Sequence, residues 1–66
     1  MKISLNGKSR QFDDVTTLSD LIHKNIKNAS FIVAEMNGEI INRLEWQHKF
    51  IKDGDQVELV SLVAGG

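Results

Sequence analysis

The first six residues alternate between apolar and polar, which is typical of a strand with one buried face. Asn6 and Gly7 end this segment. An Asn-Gly pair favours a two-residue hairpin turn, in which both central residues adopt positive φ. The polar segment 8–12 is then expected to return as an edge strand, with Phe12 as its anchor in the core. The pattern therefore predicts a β-hairpin at the start of the chain.

A single amphipathic helix is expected over residues 17–27. Thr17 and Asp20 have the spacing of an N-cap and an N3 residue. They predict a capping box in which the shorter Asp stands in place of the usual Glu. Asn28 is the expected stop. The apolar positions recur at helical spacing and form one buried face, comprising Leu18, Leu21, Ile22 and Ile26.

A second hairpin is expected after the helix. Residues 31–36 are rich in strand-forming side chains. Asn37 and Gly38 repeat the turn signal of the first hairpin, and residues 39–41 form the returning strand.

One more strand is expected in the segment that follows residue 41. Segment 42–49 has no clean period, and Leu44 and Trp46 are expected to hold a short helical turn against the core. Residues 52–55 read Lys-Asp-Gly-Asp, which predicts a tight turn. Residues 56–62 are then expected to form the last strand.

The predicted element order is β-β-α-β-β(-β), an α+β domain. We expect a mixed sheet of four to five strands with one main helix on one face, because a single helix can cover only one side of a sheet. The domain is predicted to comprise residues 1–62. Residues 63–66 are predicted to be a flexible tail.

Composition excludes several classes of function. The chain has 66 residues, no cysteine and a net charge of −1. The absence of cysteine removes disulfides, thiolate metal sites and a thiol nucleophile. No basic stripe suggests nucleic-acid binding, and no apolar run approaches the roughly 20 residues of a membrane span. We expect a cytoplasmic protein with no nucleic-acid or membrane partner.

The sequence ends in two glycines, Gly65 and Gly66, preceded by Val63 and Ala64. Glycine lacks a Cβ, so this end is thin enough to thread a narrow channel. A terminal carboxyl group is ionised at neutral pH and becomes a good acyl donor only after activation. The chain carries no phosphate-binding glycine-rich loop, so the activating machinery must belong to another protein.

Several segments together resemble the small sulfur carriers of the ubiquitin-like ThiS/MoaD family, and most closely its thiamine-biosynthesis branch. These segments are residues 37–41, Arg43, Trp46, the turn at 53–57 and the ending at 62–66. The resemblance covers the whole chain and implies a ubiquitin-like β-grasp fold. The tail alone does not distinguish members of this superfamily, whereas the tail, turn and length together do.

The resemblance also implies a chemistry in which the chain is a substrate and not an enzyme. A ThiF-like, E1-like adenylyltransferase activates the Gly66 carboxylate with ATP, and a sulfur donor protein then displaces AMP to leave a thiocarboxylate. A ThiG-like thiazole synthase accepts the sulfur. Residues Val63, Ala64 and Gly65 thread the partner's active site. No bound cofactor is implied, because the partner consumes the ATP.

A docking surface is expected beside the tail. If Val57 and Leu59 face the core, Val60 and Leu62 face the uncovered side of the sheet, where Phe31 joins them. The alternative is that these are ordinary exposed aliphatic and aromatic residues, which are common on protein surfaces.

Other interpretations remain for particular residues. His23 and His48 lack the supporting ligands of a metal site, and Asp53 and Asp55 are better explained by a turn than by a calcium loop. Trp46 is expected to pack in the core, with a partner contact as the alternative. The competing functions are sulfur transfer for molybdopterin or tRNA thiolation, covalent protein tagging, and a non-covalent interaction module.

Overall fold

A computed structural model describes residues 1–62 of the chain and shows an α+β fold. The first hairpin precedes the helix, and the second hairpin and a short 3₁₀ helix precede the last strand. The elements are β1 (Lys2–Leu5), β2 (Lys8–Gln11), α1 (Leu18–Asn25), β3 (Ile32–Met36), β4 (Glu39–Ile41), a 3₁₀ helix (Arg43–His48) and β5 (Gln56–Ser61). The expected element order is confirmed.

The strands form one mixed, five-stranded sheet in the order β2-β1-β5-β3-β4. β5 lies at the centre, parallel to β1 and antiparallel to β3. The last strand in sequence is therefore held on both sides. This arrangement confirms the predicted mixed sheet, and it places the end of β5, from which residues 63–66 follow, in the middle of the sheet.

Both Asn-Gly turns have the predicted conformation. The φ angles are 51° and 81° at Asn6 and Gly7, and 53° and 84° at Asn37 and Gly38. Positive φ at both central residues defines the type I′ turn, whose twist matches that of the flanking strands. Phe12 is buried, as expected, while every residue of β2 is exposed.

The helix α1 begins with a complete capping box. The Asp20 backbone N–H donates to Thr17 Oγ1 at 3.2 Å, and the Thr17 N–H donates to Asp20 Oδ2 at 3.0 Å. Leu18, Leu21 and Ile22 have no exposed surface and pack against the sheet. These residues confirm the predicted apolar face of the helix.

The helix ends earlier than predicted. It ends at Asn25 rather than residue 27, because Ile26 adopts an extended conformation with φ −125° and ψ 125°. The Ile26 backbone N–H donates to the Ile22 carbonyl and the Asn25 side chain donates to the Leu21 carbonyl, both at 2.8 Å, so two carbonyls of the last turn are satisfied where the helix ends. Ile26 is consequently only half-buried.

The prediction that Leu44 packs in the core is wrong, since this side chain is 82% exposed. A 3₁₀ helix has three residues per turn, so Arg43 and Trp46 share a side and Leu44 points elsewhere. Trp46 is buried and donates its indole N–H to the Ile41 carbonyl at 3.1 Å. The Arg43 guanidinium lies 4.6 Å from the centre of the Trp46 ring and donates to the Ala29 carbonyl.

Candidate functional site

The face of the sheet opposite α1, here called the open face, carries apolar side chains at one end. Val57 and Leu59 of β5 point into the core as predicted, which leaves the alternate position Val60 on the open face, 52% exposed. Leu62 and Phe31 are 67% and 57% exposed. The sequence therefore placed these three residues on the surface correctly, although their docking role stays a prediction.

Strand register brings these residues together. Val33 of β3 lies directly opposite Val60. One step further along, the Leu62 backbone N–H donates to the Phe31 carbonyl at 2.8 Å, so the pairing continues past the end of β5. Phe31, Val33, Val60 and Leu62 form two adjacent cross-strand pairs, here called the apolar strip. Val33 belongs to the site but was not singled out from the sequence, because its partner depends on long-range register.

The next pair on the open face is acidic. Glu35 of β3 lies directly opposite Glu58 of β5, and Ile40 of β4 lies opposite Glu35 on its other side. Glu35 is half-buried, Glu58 is exposed and Ile40 is 69% exposed. Glu35 and Glu58 are here called the acidic pair. Like charges directly opposite one another destabilise a sheet, so this pair requires an explanation.

No described residue neutralises the acidic pair. The ion pair recorded within residues 1–62 joins Lys24 to Asp14, and it lies away from the sheet's open face. On β1, Ser4 lies beside Gln56, so Lys2 is displaced away from Glu58, and its backbone N–H donates to Asp53 Oδ1 at 2.7 Å. Within residues 1–62, the carboxylates of the acidic pair therefore have no cation beside them.

Side chains of both turns hold β5 in place. Asn6 accepts a hydrogen bond from the Leu59 N–H at 2.7 Å and donates to the Leu59 carbonyl at 3.3 Å. At the other end of the strand, Asn37 accepts from the Gln56 N–H at 2.9 Å and donates to Asp55 Oδ1 at 3.1 Å. These bonds extend the hydrogen bonding of the sheet beyond the ends of β1 and β3.

The predicted tail residues, Val63, Ala64, Gly65 and Gly66, lie outside the described residues. Four residues span at most about 14 Å, at roughly 3.3–3.6 Å each. Any group acting on the Gly66 carboxylate therefore works within that distance of Leu62. The Leu62 end of the apolar strip therefore lies within about 14 Å of any group that contacts Gly66.

The described residues offer little else of a catalytic kind. Within residues 1–62 there is no group of three potential metal ligands. His23 is exposed, and its Nδ1 lies 2.8 Å from the Ser19 carbonyl oxygen, while His48 is also exposed. A shallow cleft of about 310 Å³ lies at the opposite end of the sheet, lined by Met36, Asn37, His48, Lys49, Phe50 and Lys52.

No helix within residues 1–62 has the length and apolar character needed to cross a membrane.

Comparison with known families gives a match over nearly the whole chain. The model of the ThiS family matches residues 3–66. The sulfur carrier protein ThiS of Escherichia coli strain K12 is 27% identical over 66 residues, which cover all of both chains. The ycf40 protein of Trieres chinensis is 32% identical over 62 residues, 94% of this chain and 85% of that protein.

Two further similarities are to a thiazole synthase and to a solved structure. A thiazole synthase of Paramagnetospirillum magneticum is 29% identical over all 66 residues, although the chain spans only 20% of that protein's length. The crystal structure of a thiamine biosynthesis protein, ThiS, from Geobacter metallireducens aligns over 100% of both chains, with a TM-score of 0.86 and 29% identity. These similarities confirm the β-grasp fold expected from the sequence.

Proposed function

The chain belongs to the ThiS family of sulfur carriers in thiamine biosynthesis, and we propose that its Gly66 carboxyl group is the group that carries the sulfur atom. The observation that carries this proposal is the extent of the family match. It includes the final residues Gly65 and Gly66 as well as the folded domain. A folded body that presents a thin carboxylate tip suits a protein that other enzymes modify.

The proposed first step is activation of the carboxylate. The ionised Gly66 carboxyl group attacks the α-phosphorus of ATP, pyrophosphate leaves, and a mixed anhydride with AMP forms. Phosphoryl-group chemistry of this kind needs metal ions, cationic side chains and backbone donors around the phosphates. An E1-like adenylyltransferase similar to ThiF supplies these groups and consumes the ATP, so the carrier binds no cofactor of its own. The proposed location is the cytoplasm.

The second step replaces AMP with sulfur. With sulfide as the source, the sulfur attacks the Gly66 carbonyl carbon, the C–O bond to AMP breaks, and a thiocarboxylate, AMP and a proton result. No oxidant or reductant is needed in this form of the step. In the cell, the proposed sulfur donor protein supplies this sulfur at the oxidation level of sulfide, so the same bonds form and break.

The proposed recipient of the sulfur is a thiazole synthase similar to ThiG. The similarity of the whole chain to one-fifth of a protein called thiazole synthase supports this partnership. Molybdopterin synthesis, tRNA thiolation and covalent protein tagging are the alternative destinations. Recovery of thiazole synthase on the tagged carrier, and not a molybdopterin-synthase large subunit, supports the proposed destination.

We assign docking of both enzymes to the apolar strip, including the predicted residues Phe31, Val60 and Leu62. The strip lies at the end of β5 from which residues 63–66 follow, so an enzyme that holds the tail also covers it. The thin tail Val63, Ala64, Gly65 and Gly66 enters the enzyme's site.

The activation step is tested by ATP–pyrophosphate exchange with the host's adenylyltransferase. We expect exchange with the wild-type carrier and none when Gly66 is deleted. Gly65→Val and Gly66→Val block exchange by adding a Cβ and methyl groups to the threading segment. Leu44→Ser, which alters an exposed residue outside the open face, serves as the matched control and supports normal exchange. Normal exchange by the Gly66 deletion would falsify the proposed function.

A further inference from the structure

The acidic pair on the open face has no structural explanation within the described residues. Cross-strand register sets Glu35 opposite Glu58 on neighbouring central strands. A like-charged pair in this position costs stability, and residues 1–62 provide no cation beside it. A positively charged group on a bound molecule removes the repulsion between the two carboxylates and therefore favours binding of that molecule.

The pair also continues a surface that is already suited to a protein partner. Along the open face, the row of Phe31 and Leu62 is followed by the row of Val33 and Val60, and then by the acidic pair. Ile40 flanks Glu35 on the outer strand. The surface is therefore apolar at the Leu62 end, acidic further along the strands, and apolar again at the β4 edge.

We propose that the open face docks an apolar protein surface carrying an arginine or lysine side chain that binds Glu35 and Glu58 together. This inference rests on the proposed function, since the occupant we assign is the adenylyltransferase that acts on Gly66. A guanidinium group suits this role best, because its planar fork donates hydrogen bonds to carboxylates in a fixed geometry.

The cation assigned here is distinct from the cations that handle ATP. Glu58 lies four residues before Leu62, so the acidic pair is about 13 Å from Leu62 at a rise of 3.2–3.4 Å per residue. The tail extends from Leu62 by at most about 14 Å. When the tail enters the partner's site by continuing in the direction of β5, the acidic pair contacts the partner's docking surface and not the groups around the reacting carboxylate.

Charge complementarity at this distance contributes to selection of the partner. An adenylyltransferase that presents a carboxylate at this point leaves three negative charges together, and it is rejected. An enzyme that presents an apolar residue leaves the acidic pair desolvated without a counter-charge, which also disfavours binding. The acidic pair thus distinguishes between enzymes that would all accept a Gly-Gly tail.

The test compares two double variants with equal changes of net charge. Glu35→Gln/Glu58→Gln removes both charges of the acidic pair while keeping the side-chain shapes. Glu39→Gln/Glu45→Gln removes two exposed charges outside the open face and is the matched control. The affinity of each full-length carrier for the host's adenylyltransferase is measured without nucleotide, at low and at high salt concentration.

We expect the acidic-pair variant to bind about tenfold or more weakly than wild type at low salt, since hydrogen bonds to charged groups are among the stronger polar contacts. Its affinity also falls less with added salt than that of wild type. The control variant binds as wild type does. The thermal unfolding midpoint of the acidic-pair variant is no lower than that of wild type, which excludes unfolding as the cause.

Equal affinities for the two double variants overturn the inference, as does wild-type binding that is insensitive to salt or too weak to measure. Pyrophosphate exchange by the wild-type carrier reports on the proposed function separately. If the wild-type carrier binds but is not adenylated, the proposed function fails, while the affinity ratio of the two variants still decides the inference.

Discussion

The side-chain amide of Asn6 forms two hydrogen bonds with the backbone of Leu59, accepting from its N–H at 2.7 Å and donating to its carbonyl at 3.3 Å. Leu59 lies 53 residues further along the chain, in the central strand. The same residue that forms the first hairpin turn, with φ 51°, therefore also secures the strand that leads to the tail.

This double role predicts the effect of replacing Asn6. Asn6→Gly keeps positive φ accessible but loses both side-chain bonds, so we expect it to lower the free energy of unfolding by about 1–2 kcal/mol. Hydrogen exchange at the Leu59 amide should increase more than exchange at the Leu21 amide in α1. A variant as stable as wild type, with unchanged exchange at Leu59, contradicts this role.

The capping box of α1 predicts a dependence of stability on pH. Hydrogen bonds from the backbone N–H groups of Thr17 and Thr16 lower the pKa of Asp20 below its ordinary value of 3.8. A lowered pKa in the folded state means that the ionised carboxylate stabilises the fold. This contribution is fully present above the unfolded pKa and is lost as the pH falls through the folded pKa.

Replacement of this carboxylate should show the same dependence. At neutral pH, Asp20→Asn is expected to be less stable than wild type in denaturant unfolding. The difference should shrink as the pH falls below about 4 and should disappear once Asp20 is protonated in the folded state. Asp13→Asn, at an exposed loop position, is the control. A difference that does not change between neutral and acidic pH contradicts the assignment.

The acidic pair predicts a stabilising substitution. Glu58→Gln removes the repulsion between directly opposed carboxylates and should raise the free energy of unfolding at neutral pH by about 0.2–1 kcal/mol. Glu35→Gln should have the same effect. The double variant should gain little beyond either single variant, because the repulsion is already gone. Denaturant unfolding of all four proteins measures this coupling, and simple additivity of the two substitutions argues against it.

The apolar strip predicts a loss of partner binding without a loss of folding. Val60→Asp places a charge on the open face, where the side chain is 52% exposed. We expect its affinity for the adenylyltransferase to fall at least about tenfold, since burying an unpaired charge in an interface is costly. Leu44→Asp, at a site 82% exposed outside the strip, should bind normally. Equal affinities for the two variants remove the strip from the docking surface.

Much of the fold was predictable because its signals are local. The Asn-Gly pairs at 6–7 and 37–38 specify type I′ turns through their own backbone preferences, and Thr17 and Asp20 specify the helix start through their spacing. The exposure of Val60 and Leu62 follows from the two-residue alternation of a strand. Each of these features depends on residues within a few positions of one another.

The predictions that failed, and the residue pair that was missed, depend on structure that neighbouring residues in the sequence do not determine. The apolar residue Leu44 suggested a core contact, but the 3₁₀ turn placed Trp46 against the core and left Leu44 in solvent. Helical spacing continued to Ile26, although the backbone becomes extended at that residue and the helix ends at Asn25. Glu35 and Glu58 are 23 positions apart in sequence, and only the register of β3 with β5 reveals them as a pair.

The central claim, that Gly66 is loaded with sulfur, is tested most directly by intact-mass measurement. The carrier is incubated with ATP, the host's adenylyltransferase and a sulfur source, and its mass is compared with that of untreated protein. We expect an increase in mass equal to the replacement of one oxygen by sulfur, located on the C-terminal peptide and absent when Gly66 is deleted. An unchanged mass under conditions in which the enzyme is active, or an increase that survives deletion of Gly66, contradicts it.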